Sequence, residues 1–267
     1  MTGNRSAMKK AYWGFPIVQI AKNFLRGKYA AEMLRKLLTR LKERVIAPPS
    51  ADPMPWLLST RISLDDFCKK IDGPLWEECK NDTQEIQIAA DTKLKSLDID
   101  LGGGGNFPLL HFLVRKMKPS NVVETGVAAG YSSKAILNAL KKNGSGRLYS
   151  SDFPYFRIQD PEKYIGYVVD DELKDNWTCL VKGDRSNLPN ILSRIDSIDI
   201  FHYDSDKSYS GREWAIKLIL PRMRKGGVVI MDDIHDNCYF EDLVKQNKVK
   251  ASVFEFQRKY VGLFFVG

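Results

Sequence analysis

The sequence predicts an α/β fold, a doubly wound and mostly parallel sheet closed by a C-terminal antiparallel hairpin. Three observations carry that reading. Short β-branched apolar runs alternate with amphipathic segments from residue 121 onward, the pattern of strands joined by helical crossovers. Glycines or acidic residues follow these runs directly, as expected where a parallel strand opens onto a ligand crevice. Two further apolar runs near the end are separated only by Gln257-Arg258-Lys259, a connection that suits antiparallel neighbours.

Taken in order, residues 1–50 read as a basic helical extension. They carry 11 lysines and arginines against Glu32 and Glu43, leaving +9 there; the other 217 residues hold 30 basic and 31 acidic side chains, leaving −1. The overall +8 is therefore no sign of a nucleic-acid partner, because the part of the chain expected to hold the catalytic domain is nearly neutral and does not attract a polyanion over distance. Ala30, Met33, Leu34, Leu37, Leu38, Leu41 and Val45 recur at helical steps, with Lys36, Arg40, Lys42 and Arg44 around them. Such a helix packs on its own domain or on a second copy in a homo-oligomer, which is the expected reading, or lies through residues 28–46 on an anionic membrane surface.

Residues 51–104 read as a proline-containing connector and a helical segment. Pro48, Pro49, Pro53 and Pro55 stiffen the boundary, since proline lacks the amide donor and restricts its predecessor. Ser63, three residues before Asp66, marks a helix start for the polar stretch 63–97. The run Gly102 to Gly105 predicts a flexible turn into a helix over Phe107 to Met117; without a following GK[ST] it is not expected to bind phosphate.

The catalytic domain is expected over residues 105–267, with strands at Asn121–Thr125, Arg147–Ser151, 178–182, Ile198–Tyr203, 228–231, Ala251–Phe256 and 260–266. Lys225-Gly226-Gly227 reads as the turn before the fifth. The first strand leads into Glu124-Thr125-Gly126-Val127-Ala128-Ala129-Gly130, where glycines admit a close ligand and the next helix offers amide donors. Asp152 follows the second strand, where a carboxylate can accept both hydroxyls of a ribose. Gly183-Asp184 follows the third and can frame an adenine ring. The fourth ends in Tyr203-Asp204-Ser205-Asp206-Lys207, the fifth in Met231-Asp232-Asp233. Each acid alone can merely cap a helix; their gathering at one sheet edge points to a site.

These segments resemble the class I S-adenosylmethionine-dependent methyltransferases, whose sheet is Rossmann-like and seven-stranded. ETGVAAGYSS, YDSDKSY and KGGVVIMDD are similar to motifs of the metal-dependent O-methyltransferases, of catechol and caffeoyl-CoA type and of a related group that modifies antibiotics and sugars. The resemblance runs from Asn121 to the end. It implies S-adenosylmethionine as cofactor, held by Glu124, Gly126, Val127, Gly130, Ser132, Asp152, Gly183, Asp184 and Asp204. It also implies a metal at Asp204, Asp232 and Asp233, and Lys207 as catalytic base. Asp233 departs from the Asp-Asn of the catechol type, and the related group often has His at the position of Lys207.

Three carboxylates meeting at two strand ends need a cation, and oxygen ligands favour Mg²⁺ or another hard divalent ion. A lysine base needs desolvation to lose its proton near neutral pH. The implied function is O-methylation of a small hydroxylated substrate, a sugar or aromatic diol. Alternatives are a metal-independent methyltransferase, an NAD-dependent oxidoreductase and a non-catalytic scaffold. His202 is expected to be structural, His235 to border the substrate, and Trp177, Tyr209 and Trp214 to be packing residues. Four scattered cysteines without a CxxC pair, and the lack of a long apolar run or signal-peptide core, predict a reduced cytoplasmic protein.

Overall fold

The computed structural model describes residues 15–25, 27, 29–46, 52–97, 99, 101 and 103–267, with the side chains of 15–19 and 40–46 outside the description. Pro48 and Pro49, Gly102, and the side chains of Leu41, Lys42, Arg44 and Val45 therefore lie outside the described residues.

Seven strands form one sheet in the order β3-β2-β1-β4-β5-β7-β6. They are β1 (Asn121–Thr125), β2 (Arg147–Ser151), β3 (Trp177–Leu180), β4 (Ile198–Tyr203), β5 (Met223–Met231), β6 (Ala251–Phe256) and β7 (Lys259–Phe265). The first five run parallel; β7 lies antiparallel between β5 and β6. This is the predicted sheet, with two differences. The third strand starts earlier, at Trp177, because Leu148 offers it a ladder partner there. Lys225-Gly226-Gly227 is no turn but an irregular part of β5: Ile198 pairs with Met223, and only two residues on, Ile200 pairs with Val228. Positive φ at Gly226 takes up the extra length.

Both faces of the sheet are apolar, as a parallel sheet covered on both sides requires. Val122, Ile200 and Val228 point into one core, and their neighbours Val123, Phe201 and Val229 into the other, the two-residue alternation of a strand. Nine helices are described: α1 (Phe15–Leu25), α2 (Ala30–Ile46), α3 (Met54–Thr60), α4 (Leu64–Lys95), α5 (Phe107–Met117), α6 (Tyr131–Asn143), α7 (Asp184–Leu192), α8 (Tyr209–Ile219) and α9 (Tyr239–Asn247). The first core is covered by α4, α5 and α6, the second by α3, α7, α8 and α9.

Helix α4 starts where the sequence places it, Ser63 Oγ accepting from Asp66 N at 3.2 Å, and breaks at Asp72 just before Pro74. Its Cys68, Trp76 and Cys79 belong to the same core as the sheet. The helical segment read ahead of the catalytic domain thus contributes directly to that core. Ile62 N also donates to Val253 O at 2.9 Å, covering the edge strand β6.

Candidate active site

The site begins one residue past each central strand. Gly126, Asp152, Asp204 and Asp232 follow β1, β2, β4 and β5, and each still gives its backbone N–H to the neighbouring strand. Gly126 N donates to Ser151 O (2.9 Å), Asp152 N to Leu180 O (2.8 Å), Asp204 N to Thr125 O (3.0 Å) and Asp232 N to Tyr203 O (2.9 Å). The ladder therefore sets these four positions side by side over β1 and β4, where the strand order reverses and open α/β sheets bind ligands.

Around the glycine turn, close approach is real but is made by the chain itself. A Cβ on Gly126, whose φ is +83°, would collide with the carbonyl oxygen of Asp204. At Gly130 (φ +99°) it would come 2.8 Å from Gly166 Cα. The carbonyls of Ala128 and Ala129 accept from Gly166 N and Val168 N. Below the turn, the fully buried Glu124 accepts hydroxyl bonds from Ser132 (2.6 Å), Ser133 (2.5 Å) and Ser150 (2.8 Å). Glu124 and Ser132 thus brace the turn from inside, and Val127 is buried with them.

On the β2 side, Asp152 accepts from Ala128 N at 2.9 Å and from Phe153 N at 2.6 Å. Burial outweighs these bonds and pushes its carboxyl up to about 7. Asp184 is turned inward, accepting from Ser151 Oγ (2.6 Å) and Ser205 Oγ (2.5 Å), and burial raises it too. Gly183 has φ +87°, and a Cβ there would lie 3.0 Å from Cγ of Glu32 on α2. Helix α2 therefore packs at the rim of the crevice.

The second half of the site is a cluster of matched charges. Lys207 Nζ contacts Asp204 Oδ1 and lies 2.7 Å from Asp233 Oδ2. Lys259, at the start of β7, lies 3.2 Å from Asp233 Oδ1. His202 Nε2 is 3.1 Å from Asp232 Oδ2, and its Nδ1 is 3.6 Å from Glu124 Oε1. Asp204, Asp232 and Asp233 thus face three protein cations, of which His202 also serves Glu124. Burial alone would lower both His202 and Lys207, but the adjacent carboxylates win: His202 is raised to about 10, and Lys207 lies above the ordinary lysine range. Asp204 is pushed up to about 6, first by burial and then by Asp232. Asp233 is held below the ordinary range, Lys207 and Lys259 overcoming its burial.

The metal set predicted at Asp204, Asp232 and Asp233 is not assembled in this arrangement. Among the described residues, no three His, Cys, Asp or Glu side chains are grouped to hold an ion, and Lys207 stands between two of the three proposed ligands. The electrostatic condition for Lys207 as a neutral base is not met either, since its two carboxylate partners favour the ammonium.

Sequence reading missed three contributors. Arg212, fully buried on α8, donates from Nη2 to Asp233 O (2.8 Å) and Asp232 O (3.3 Å), fixing the turn in which Asp233 has φ +53°. Gly105 lets its loop press on the cluster: a Cβ there would collide with Asp232 Oδ2 and lie 3.0 Å from His202 Nε2. Lys259 reaches Asp233 from a two-residue hairpin turn in which Gln257 and Arg258 both have positive φ. The glycine run was the one available signal, since glycine marks close backbone approach. His235 lies 6.1 Å from the Tyr260 ring. Trp177, Tyr209 and Trp214 are engaged with Ser150, Asp242 and Arg185.

A doubly wound sheet with this order, a glycine turn after β1 and acids after β2, β4 and β5 defines a class I methyltransferase fold. Residues 123–234 match the family model described as a methyltransferase domain. No curated protein sequence matches the chain. Solved structures share the fold. The O-methyltransferase TomG from Streptomyces achromogenes, involved in tomaymycin synthesis and solved with S-adenosylmethionine, has 20% identity and a TM-score of 0.52, covering 68% of this chain and 89% of its own. The methyltransferase PaMTH1 of Podospora anserina, solved with S-adenosylhomocysteine, has 10% identity and a TM-score of 0.52, covering 68% and 88%. A methyltransferase from Geobacter sulfurreducens has 16% identity and a TM-score of 0.51, covering 68% and 89%.

Proposed function

We propose that the chain is an S-adenosylmethionine-dependent O-methyltransferase acting on a hydroxyl of a small molecule, a sugar or aromatic diol. The observation that carries this is the in-register row Gly126, Asp152, Asp204 and Asp232 at the switch point of the sheet, within a segment that matches a methyltransferase domain. The donor set fits the cofactor. The Asp152 carboxylate beside the glycine turn suits a ribose diol, Gly183 and Asp184 border the adenine side, and the turn Gly126–Gly130 borders the methionine part. Glu124 and Ser132 act by holding that turn in shape. The cofactor supplies an electrophilic methyl on sulfur.

Substrate is expected at Asp204 and Lys207, whose side chains are 20% and 35% exposed, whereas Asp232 and Asp233 are 4% and 10% exposed behind them. Asp204, with its carboxyl near 6, suits the removal of a hydroxyl proton at neutral pH better than Lys207 does. Lys207 then serves as the cation beside the developing oxyanion. Methyl transfer otherwise needs alignment, which the rigid strand ends provide.

The residues do not fit a divalent ion as they stand, because Lys207, Lys259 and His202 already neutralise the three acids. This favours the metal-independent alternative. The cytoplasmic reading is supported by four free thiols; among the described residues no helix is long and apolar enough to cross a membrane.

Isothermal titration with S-adenosylhomocysteine tests the cofactor assignment, and binding of NAD in its place overturns it. Transfer of labelled methyl groups into a panel of hydroxylated metabolites then tests the reaction. Activity is expected to persist in EDTA. Loss in EDTA with recovery on adding Mg²⁺ would instead establish Asp204, Asp232 and Asp233 as ligands after rearrangement of Lys207.

A further inference from the structure

Helix α2 is mounted on the domain by the face that amphipathic helices ordinarily turn to water. Tyr29, just before it, donates to Glu162 Oε1 at 2.7 Å and sets its ring edgewise on Phe153 and Phe156. Glu32 packs at Gly183, Arg35 lies 3.7 Å from Asp206 Oδ2, and Lys36 Nζ lies 4.6 Å from the centre of the Phe153 ring. Helix α1 is fastened in the same way, Asn23 Nδ2 donating to Phe156 O and Ile158 O. The leucines are consequently turned outward. Leu34, Leu37 and Leu38 are 48%, 55% and 55% exposed, and Phe24 and Leu25 of α1 are exposed beside them in sequence.

We propose that this outward face docks on an anionic phospholipid surface. Charge decides between the candidate occupants. The first 50 residues carry 11 basic against two acidic side chains, and the rest of the chain is close to neutral. A second copy meeting the first through this face would bring two strongly positive segments together, whereas an anionic bilayer supplies the opposite sign. An apolar stripe within a basic helix is also the pattern that lies in the plane of a membrane interface. Because α2 is held through Tyr29, Glu32, Arg35 and Lys36, the leucines are free for a partner without loosening the helix from the domain. The same helix borders Gly183 and Phe153, so docking would bring the rim of the cofactor crevice next to the lipid surface. The docking surface stands independently of the reaction proposed above.

The test is flotation of the full chain with vesicles of phosphatidylcholine alone and of phosphatidylcholine mixed with phosphatidylglycerol, alongside sedimentation velocity without lipid. The expected result is flotation with the anionic vesicles only, weakened by added salt. The triple variant Leu34→Ser, Leu37→Ser, Leu38→Ser should reduce it on the order of tenfold at an unchanged melting temperature. Leu37→Asp alone serves as a milder second variant with the same expected direction. No flotation with anionic vesicles, or equal flotation with neutral ones, overturns the proposal. So does a wild-type dimer that the triple variant converts to monomer, since a second copy then covers the face.

Discussion

His202 Nε2 lies 3.1 Å from Asp232 Oδ2 with no route to water for the imidazole. The pair joins two halves of the site, because Nδ1 of the same ring faces Glu124, the residue that braces the glycine turn. Replacing His202 with Gln leaves two buried carboxylates without their shared cation. Such a loss typically costs about 3–5 kcal/mol, and chemical denaturation should register a change of that order. The raised value sets the sign: stability from the imidazolium is fully present below the unfolded value near 6.5 and is lost as pH rises through about 10. Wild-type stability should therefore fall between those values, and the variant should show a flatter profile there.

Asp152 gives the opposite kind of linkage to a stabilising carboxylate. Its folded value near 7 lies above the ordinary 3.8, so the folded chain keeps a proton that the unfolded chain has released. Stability falls as pH rises from about 4 to about 7 on this account, by at most about 1.4 kcal/mol per unit. Asp152→Asn should flatten that slope in thermal melts while weakening S-adenosylhomocysteine binding at least tenfold by titration calorimetry. A variant that binds as tightly as the wild type removes Asp152 from the cofactor site.

Asp204→Asn and Lys207→Met separate the two proposed catalytic roles. Asp204→Asn should lower kcat on the order of 10²-fold or more and abolish the decline in rate on acidification through about pH 6. Lys207→Met should lower kcat while leaving that decline in place. If instead the pH profile vanishes with Lys207, the lysine is the proton acceptor.

Gly126→Ala tests the close approach of the glycine turn to β4. The new methyl group meets the Asp204 carbonyl, and φ of +83° is itself unfavourable for alanine. A loss of at least about 1–2 kcal/mol is expected, together with weaker cofactor binding, because relief of the clash must move either the turn or Asp204. Unaltered stability and binding would show that this approach is loose in solution.

The sheet and the row of acids were legible in the sequence because each is a local matter. Val122-Val123 and Phe201 declare buried strands, and Asp152, Asp204 and Asp232 come next in the chain. What escaped was whatever arrives from far away. Lys259 meets Asp233 only through the hairpin, Arg212 reaches the backbone of Asp232-Asp233 from a helix face that reads as ordinary core, and Gly105 touches Asp232 by packing. The need of these acids for a counter-charge follows from their place in the chain, but spacing does not tell a metal from side-chain cations. Periodicity likewise disclosed the leucine stripe of α2 without disclosing which way it turns; the anchors that decide it are Tyr29, Glu32 and Lys36.

The extension of the ladder beyond the strands has a consequence for how this scaffold can be altered. Gly126, Asp152, Asp204 and Asp232 are laced to their neighbours by amide bonds, while Gly103–Gly105 and Gln257 approach one another from separate loops above them. The acids are therefore held by the sheet itself, and the two loops above them by other contacts, like separate jaws on a fixed vice. On the proposed function, exchanges in those two loops that spare Gly105 and Lys259, the residues that touch the cluster, should redirect the choice of acceptor molecule while the carboxylates keep their places.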